Sequence, residues 1–192
     1  KTDSGDIYIG AGTVFSHITA DPVIQECVPV LGEAVDQVGG PQIRNIGTIG
    51  GNICNGAVSA DSAPTVFSYN ALLHIADDKD GRIVPVRDFY LGPGRVDLRP
   101  GEVLTHVVIP KAEYEGYHGN YIKYSMRNAM DIATLSCSVV SKVNTVTNIL
   151  EDVRITFGVA APVPYRCTET EELLKGQKLE DNLYQKLEES IR

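Results

Sequence analysis

Between residues 39 and 56 the chain carries six glycines in 18 positions (39, 40, 47, 50, 51 and 56) and a single charge, Arg44. A stretch this poor in Cβ atoms buries little surface by itself and reaches positive φ at small cost, so it is expected to be irregular backbone held close to something else. Its tightest part is Gln42-Ile43-Arg44-Asn45-Ile46-Gly47-Thr48-Ile49-Gly50-Gly51-Asn52. With no Cβ at Gly47, Gly50 and Gly51, successive N–H groups can line a concave anion site, and Thr48 and Asn52 add neutral donors. That chemistry suits a pyrophosphate. The glycine order is neither G-x-G-x-x-G nor the Walker pattern, so neither of those phosphate mechanisms applies. On local physics alone, a pair of tight turns with no ligand stands level with phosphate binding.

The flanking sequence is more regular. Ile7-Tyr8-Ile9-Gly10 is strand-like after a glycine turn. Thr13 has N-cap chemistry, and Asp21-Pro22 is a second helix start, with Asp as cap and Pro at the first helical position. Val30, Leu31, Ala34, Val35 and Val38 form the stripe of a third helix. Asp61, Ser62 and Pro64 open another, through Tyr69; strands follow at 72–75, 82–86 and 103–109, the last stopped by Pro110. The polar segment 111–119 reads as a domain boundary, dividing the chain into 1–112 and 113–192. Beyond it come strands at 121–126, 134–143 and 153–159. Helices follow at 168–175, capped by Thr168, and at 180–191. Strands followed by helices point to an antiparallel α+β second domain.

Net charge is −8, which argues against a nucleic-acid or anionic-membrane partner. Cys27, Cys54, Cys137 and Cys167 form no C-x-x-C pair, so zinc and iron–sulfur ligand spacings are missing and the thiols read as those of a reducing compartment. Without a signal peptide or an apolar run near ~18 residues, the expected location is the cytoplasm. His17, His74, His106 and His118 share no metal or triad spacing, and no nucleophile–base grammar is present. No catalytic residue and no metal ligand is assigned.

Two further places carry possible chemistry. Asp61 is favoured as the cap of the helix that follows it, although a carboxylate beside a nucleotide site can also accept ribose hydroxyls. In the 121–127 strand, alternation places Ile122, Tyr124 and Met126 on one face and Lys123, Ser125 and Arg127 on the other. The cationic face could neutralise phosphate or a reduced flavin; an ordinary solvated face is the favoured reading. Tyr114, Tyr117 and Tyr121 read as packing.

Taken together, IRNIGTIGGNICN, SADSAPT and YIKYSMRNAMDIATL resemble the FAD-binding (medium) subunit of xanthine dehydrogenase and its molybdenum hydroxylase relatives, over nearly the whole chain. The most specific element is T-I-G-G-N followed nine residues later by Asp61, and GVAAP at 158–162 fits the C-terminal part. The resemblance implies an α+β chain. Its 1–112 part would be the second subdomain of a vanillyl-alcohol-oxidase-like (PCMH-type) FAD domain. Its 113–192 part would be a small antiparallel-sheet-plus-helices domain of the carbon monoxide dehydrogenase flavoprotein C-terminal type. By the same resemblance, Thr48, Ile49, Gly50, Gly51 and Asn52 bind the FAD pyrophosphate, with Asn55, Asp61, Leu104 and Lys123 as further cofactor contacts. Electrons would arrive from a 2Fe-2S subunit served by a molybdopterin subunit and leave to NAD or oxygen. The alternatives are a non-catalytic assembly fragment, or the flavin subunit of a nicotinate, carbon monoxide or aldehyde-type dehydrogenase. The family's A-G-G-T-[DN] loop has no counterpart here, and the chain is expected to be truncated at both ends.

Overall fold

The computed structural model describes residues 1–179. Strand β1 (Ile7–Gly10) leads into three short helices, α1 (Phe15–Ala20), α2 (Pro22–Cys27) and α3 (Pro29–Asp36). The glycine-rich segment then forms α4 (Pro41–Arg44) and α5 (Ile49–Cys54), and α6 (Ser62–Ser68) follows. After it come β2 (Leu72–Ala76), β3 (Gly81–Pro85), α7 (Val86–Phe89), β4 (Tyr90–Gly92), β5 (Arg95–Val96) and β6 (Val103–Ile109). A 3-10 turn at Lys111–Glu113 leads to β7 (His118–Tyr124), β8 (Leu135–Asn144), β9 (Ile149–Gly158), β10 (Tyr165–Arg166) and α8 (Thr168–Leu174). The helix expected at 180–191 lies outside the described residues.

Two antiparallel four-stranded sheets organise the chain, in the orders β1-β6-β2-β3 and β10-β9-β8-β7. In the first, period-two alternation turns Ile9, Val107, Leu73 and Val84 inward in one register row, while Tyr8 on β1 and His106 and His74 in the adjacent row lie toward the outer face. Each fully buried Ile, Leu or Val there contributes roughly 1.5–3 kcal/mol. The α+β class expected from the sequence is the class observed.

Helix α6 joins the two sheets. All seven of its residues are buried, and its small polar side chains let it lie flat on β8 and β9. The Ser68 hydroxyl lies 2.9 Å from Thr156 Oγ1, and Arg154 on β9 donates to the Ser68 carbonyl at 3.1 Å. Tyr114, Tyr121 and Val140 belong to the same buried cluster as the first sheet, so apolar packing runs through the segment read as a boundary.

Local signals held where the pattern was self-contained. Asp21 Oδ1 accepts from the amides of Val23 and Ile24, at 2.8 and 3.3 Å, and caps α2. Other capping assignments are corrected. The residue before α1 is Val14, not Thr13, and the one before α8 is Cys167, not Thr168; neither supplies a side-chain cap. The three tyrosines are not simply packing. Tyr114 donates to the Gly5 carbonyl at 2.6 Å, Tyr117 to Asp152 at 2.5 Å and Tyr121 to Asp61 at 2.8 Å.

Candidate flavin site

Segment 39–56 is irregular only in part: residues 41–44 and 49–54 are helical, Gly39 and Gly56 use positive φ, and Gly47, Gly50 and Gly51 do not. Gly50 and Gly51 lie in the first turn of α5, where Ile49 and Ile53, four residues apart, are fully buried on its inner side. Its start is pinned to the turn after β1: Ile49 N donates to Thr13 O at 3.1 Å and Gly50 N to Ala11 O at 2.9 Å. Thr48 is the N-cap, its Oγ1 accepting from Gly51 N at 3.1 Å. These amides already have partners, so the inward-facing nest expected from the glycines is absent.

The two adjacent glycines exist for different reasons. A Cβ on Gly50 would lie 2.6 Å from Ala11 Cβ and 2.7 Å from Ala11 O, so the close approach of α5 to that turn requires glycine. A Cβ on Gly51 would meet only Thr48 Oγ1, at 3.1 Å, and Gly51 is exposed. Packing does not explain Gly51. It lies between Thr48 and Asn52, and among the described contacts the Thr48 hydroxyl and the Asn52 amide nitrogen donate to no protein group.

The Asn52 carbonyl oxygen accepts from Ser62 Oγ at 2.7 Å, which ties α5 to the start of α6. Asp61, immediately before α6, has helical dihedrals and makes no capping bond. Instead its carboxylate is buried, with Oδ1 accepting from the Tyr121 hydroxyl at 2.8 Å and Oδ2 from Lys123 Nζ at 2.9 Å. Burial pushes the Asp61 carboxyl above its ordinary pKa, and the hydrogen bonds from Lys123 and Tyr121 pull against that rise. Burial also drives Tyr121 well up, so its hydroxyl keeps its proton and remains a donor.

Strand β7 has the reverse polarity of the favoured reading. Tyr121 and Lys123 point inward toward α3 and α6, while Ile122 and Tyr124 are 61% and 65% exposed. Lys123 also donates to the Gln37 carbonyl at 3.0 Å. It forms part of the wall of a cleft of about 630 Å³ that Gln37, Arg44, Arg127 and Met130 also line.

Three separate hydrogen bonds, Gly51 to Thr48, Ser62 to Asn52 and Lys123 to Asp61, lie at chain-adjacent residues from α5 through the start of α6 to β7. The Ile49 and Leu104 side chains lie in the buried core, and Gly50 is a packing residue. Asn55 is exposed at the far end of α5. From sequence, Tyr121 read as packing and Ser62 as part of a helix start, and the Gln37 carbonyl was not singled out. The available signal was the i, i+2 spacing of Tyr121 and Lys123, which places them on one face.

Residues 1–112 match the family model described as FAD binding domain in molybdopterin dehydrogenase, and residues 120–192 match CO dehydrogenase flavoprotein C-terminal domain. The chain is 38% identical over 189 residues to the xanthine dehydrogenase FAD-binding subunit of Escherichia coli O157:H7, covering 98% of this chain and 64% of that protein. It is 32% identical to the glyceraldehyde dehydrogenase medium chain of Sulfolobus acidocaldarius, covering 95% and 63%. Carbon monoxide dehydrogenase from Hydrogenophaga pseudoflava superposes with a TM-score of 0.90 at 27% identity, over 99% of this chain and 65% of that one. The chain therefore spans a little under two thirds of the length of these relatives. With a family model matching more than half of its residues, this chain belongs to the FAD-binding domain family of the molybdopterin dehydrogenases.

Proposed function

We propose that this chain binds FAD and serves as the electron-transferring flavin part of a xanthine dehydrogenase-like molybdenum hydroxylase. Its partners would be a 2Fe-2S subunit, which delivers electrons, and a molybdopterin subunit, which oxidises the substrate; NAD or oxygen would be the final acceptor. The observation that carries the reading is Gly51, an exposed glycine that neither φ nor packing requires, set between the Thr48 hydroxyl and the Asn52 amide. An exposed position free of a Cβ, with neutral side-chain donors on both sides, leaves room for a phosphate-bearing cofactor such as FAD.

Helix α5 has only six residues, so the side-chain donors and the missing Cβ carry this argument, not the helix dipole. When bound, FAD supplies the two-electron chemistry; the residues of this chain hold it, orient it and set the charge around it. Thr48 and Asn52 would hold the pyrophosphate, with Gly51 leaving room for it. Lys123 keeps a cation at the cleft wall. Ile49, Gly50 and Leu104 would act indirectly, by placing α5 and the sheet behind it. The division into 1–112 and 113–192 is kept as part of this proposal, with apolar packing running across it.

The test is to incubate the purified chain with FAD, desalt it and record the visible spectrum. Retained flavin bands in a one-to-one ratio support the reading. Protein that stays colourless at saturating FAD contradicts it.

A further inference from the structure

Each Asp61 oxygen already accepts one bond, Oδ1 from Tyr121 and Oδ2 from Lys123, and the carboxylate is buried, so it presents little of itself to a ligand. Of the Asp61–Lys123 pair, the residue that lines the cleft is Lys123, whose side chain is 6% exposed. Of its three donors, one is committed to Asp61 and one to the Gln37 carbonyl. Tyr121 is itself anchored on both sides: its ring is buried at 4% exposure, and its backbone N–H donates to Glu33 Oε2 on α3 at 3.3 Å.

We infer that Tyr121 is a positioning residue of this site: its hydroxyl holds one oxygen of Asp61 so that the other stays on the Lys123 ammonium, fixing that cation at the cleft wall for an anionic group of the ligand. The ligand side of this inference rests on the flavin reading above; the positioning side does not. One neutral donor and one cation on the same carboxylate restrict its rotation about χ2, and a long lysine stem is held only as well as its partners. Without the hydroxyl, Asp61 is a buried carboxylate with a single partner on a flexible chain, and the ammonium loses its fixed direction. The ionisable groups facing this cluster are Glu33 from α3, Cys137 from β8 and, on β7, Tyr121 and Lys123 themselves; Asp36, Arg44, Arg127 and Asp131 line the cleft beside Lys123, and α6 contributes none besides the adjoining Asp61.

Tyr121→Phe keeps the ring and removes only the hydroxyl. Tyr114→Phe is the matched control, since it deletes a buried tyrosine hydroxyl that donates to Gly5 O, in the segment before β1. Both variants and the wild type are labelled with carboxyl-¹³C aspartate, and Asp61 is titrated by NMR without ligand, followed by FAD titration at neutral pH. The Asp61 midpoint is expected to move up in Tyr121→Phe and stay put in Tyr114→Phe, because a hydrogen bond to the charged form has been lost. FAD binding is expected to weaken about fivefold in Tyr121→Phe alone, the size of one hydrogen bond. An Asp61 midpoint unmoved by Tyr121→Phe overturns the positioning role. A moved midpoint with unchanged FAD affinity overturns its link to the ligand. A wild type that binds no FAD sinks the flavin reading instead, while the Asp61 midpoint still decides the positioning role.

Discussion

Two charged clusters of similar geometry stabilise different things. At the outer edge of the first sheet, Arg82 on β3 reaches Asp97 at 2.6 Å and Glu102 at 2.7 Å, fastening the segment between β5 and β6 to its neighbour 15 and 20 residues away. Between α6 and β7, Asp61 and Lys123 meet at 2.9 Å across 62 residues, with both side chains under 10% exposed. The edge cluster is a local clamp in contact with water. The inner pair joins the two halves of the chain, and its lysine lines a cleft. A buried pair is no stronger a stabiliser than a well-packed apolar one, so its retention needs another reason, and the cleft supplies one.

Breaking each cluster sharpens the contrast. The largest effect is expected for Lys123→Met, which strands a buried carboxylate and should cost about 3–5 kcal/mol in urea unfolding at neutral pH. Adding Asp61→Asn should recover much of that loss; a double variant as unstable as the sum of the two single changes would contradict a coupled pair. Gly50→Ala comes next, at about 1–3 kcal/mol, because its Cβ would meet the Ala11 backbone.

Arg82→Met should have a smaller effect, visible chiefly in its pH dependence. Hydrogen bonds from Arg82 hold the Glu102 carboxyl down at about 2, against an ordinary 4.5. A lowered carboxylate pKa contributes stability that is present above the ordinary value and lost as pH falls toward the lowered one. Wild-type melting temperature should therefore fall between about pH 4.5 and 2 with a Glu102 contribution that Arg82→Met removes. Parallel acid limbs in the two proteins would contradict this.

How much of this was legible depended on the range of the interactions. Strand β6 was readable end to end because its β-branched run is bounded by Gly101 and Pro110, and α2 because Asp21 and Pro22 carry their own start signal. Segment 39–56 stood out in the sequence by its glycines, but much of its backbone was misread. A glycine can serve positive φ or close packing, and the Ala11 contact that decides for Gly50 lies 39 positions upstream. Asp61 has the composition of a cap, yet its partners come from a strand 60 and 62 residues later. The face of β7 was inverted for the same reason: a buried cation becomes acceptable only once a carboxylate from another element is known to meet it.

The smallest expected effect on stability belongs to the most direct test of the central claim, that the exposed start of α5 is kept open for a phosphate-bearing cofactor. Gly51→Ala adds one methyl group to an exposed first helical turn, where alanine is the better helix former and Thr48 Oγ1 at 3.1 Å is the one near neighbour, so its unfolding free energy should stay within about 1 kcal/mol of the wild type's. FAD titrations of both proteins, followed by flavin fluorescence, should then show wild-type binding and an affinity about tenfold lower in the variant, equivalent to about 1.4 kcal/mol. Equal affinities in two equally stable proteins would contradict the assignment of Thr48, Gly51 and Asn52 to the cofactor.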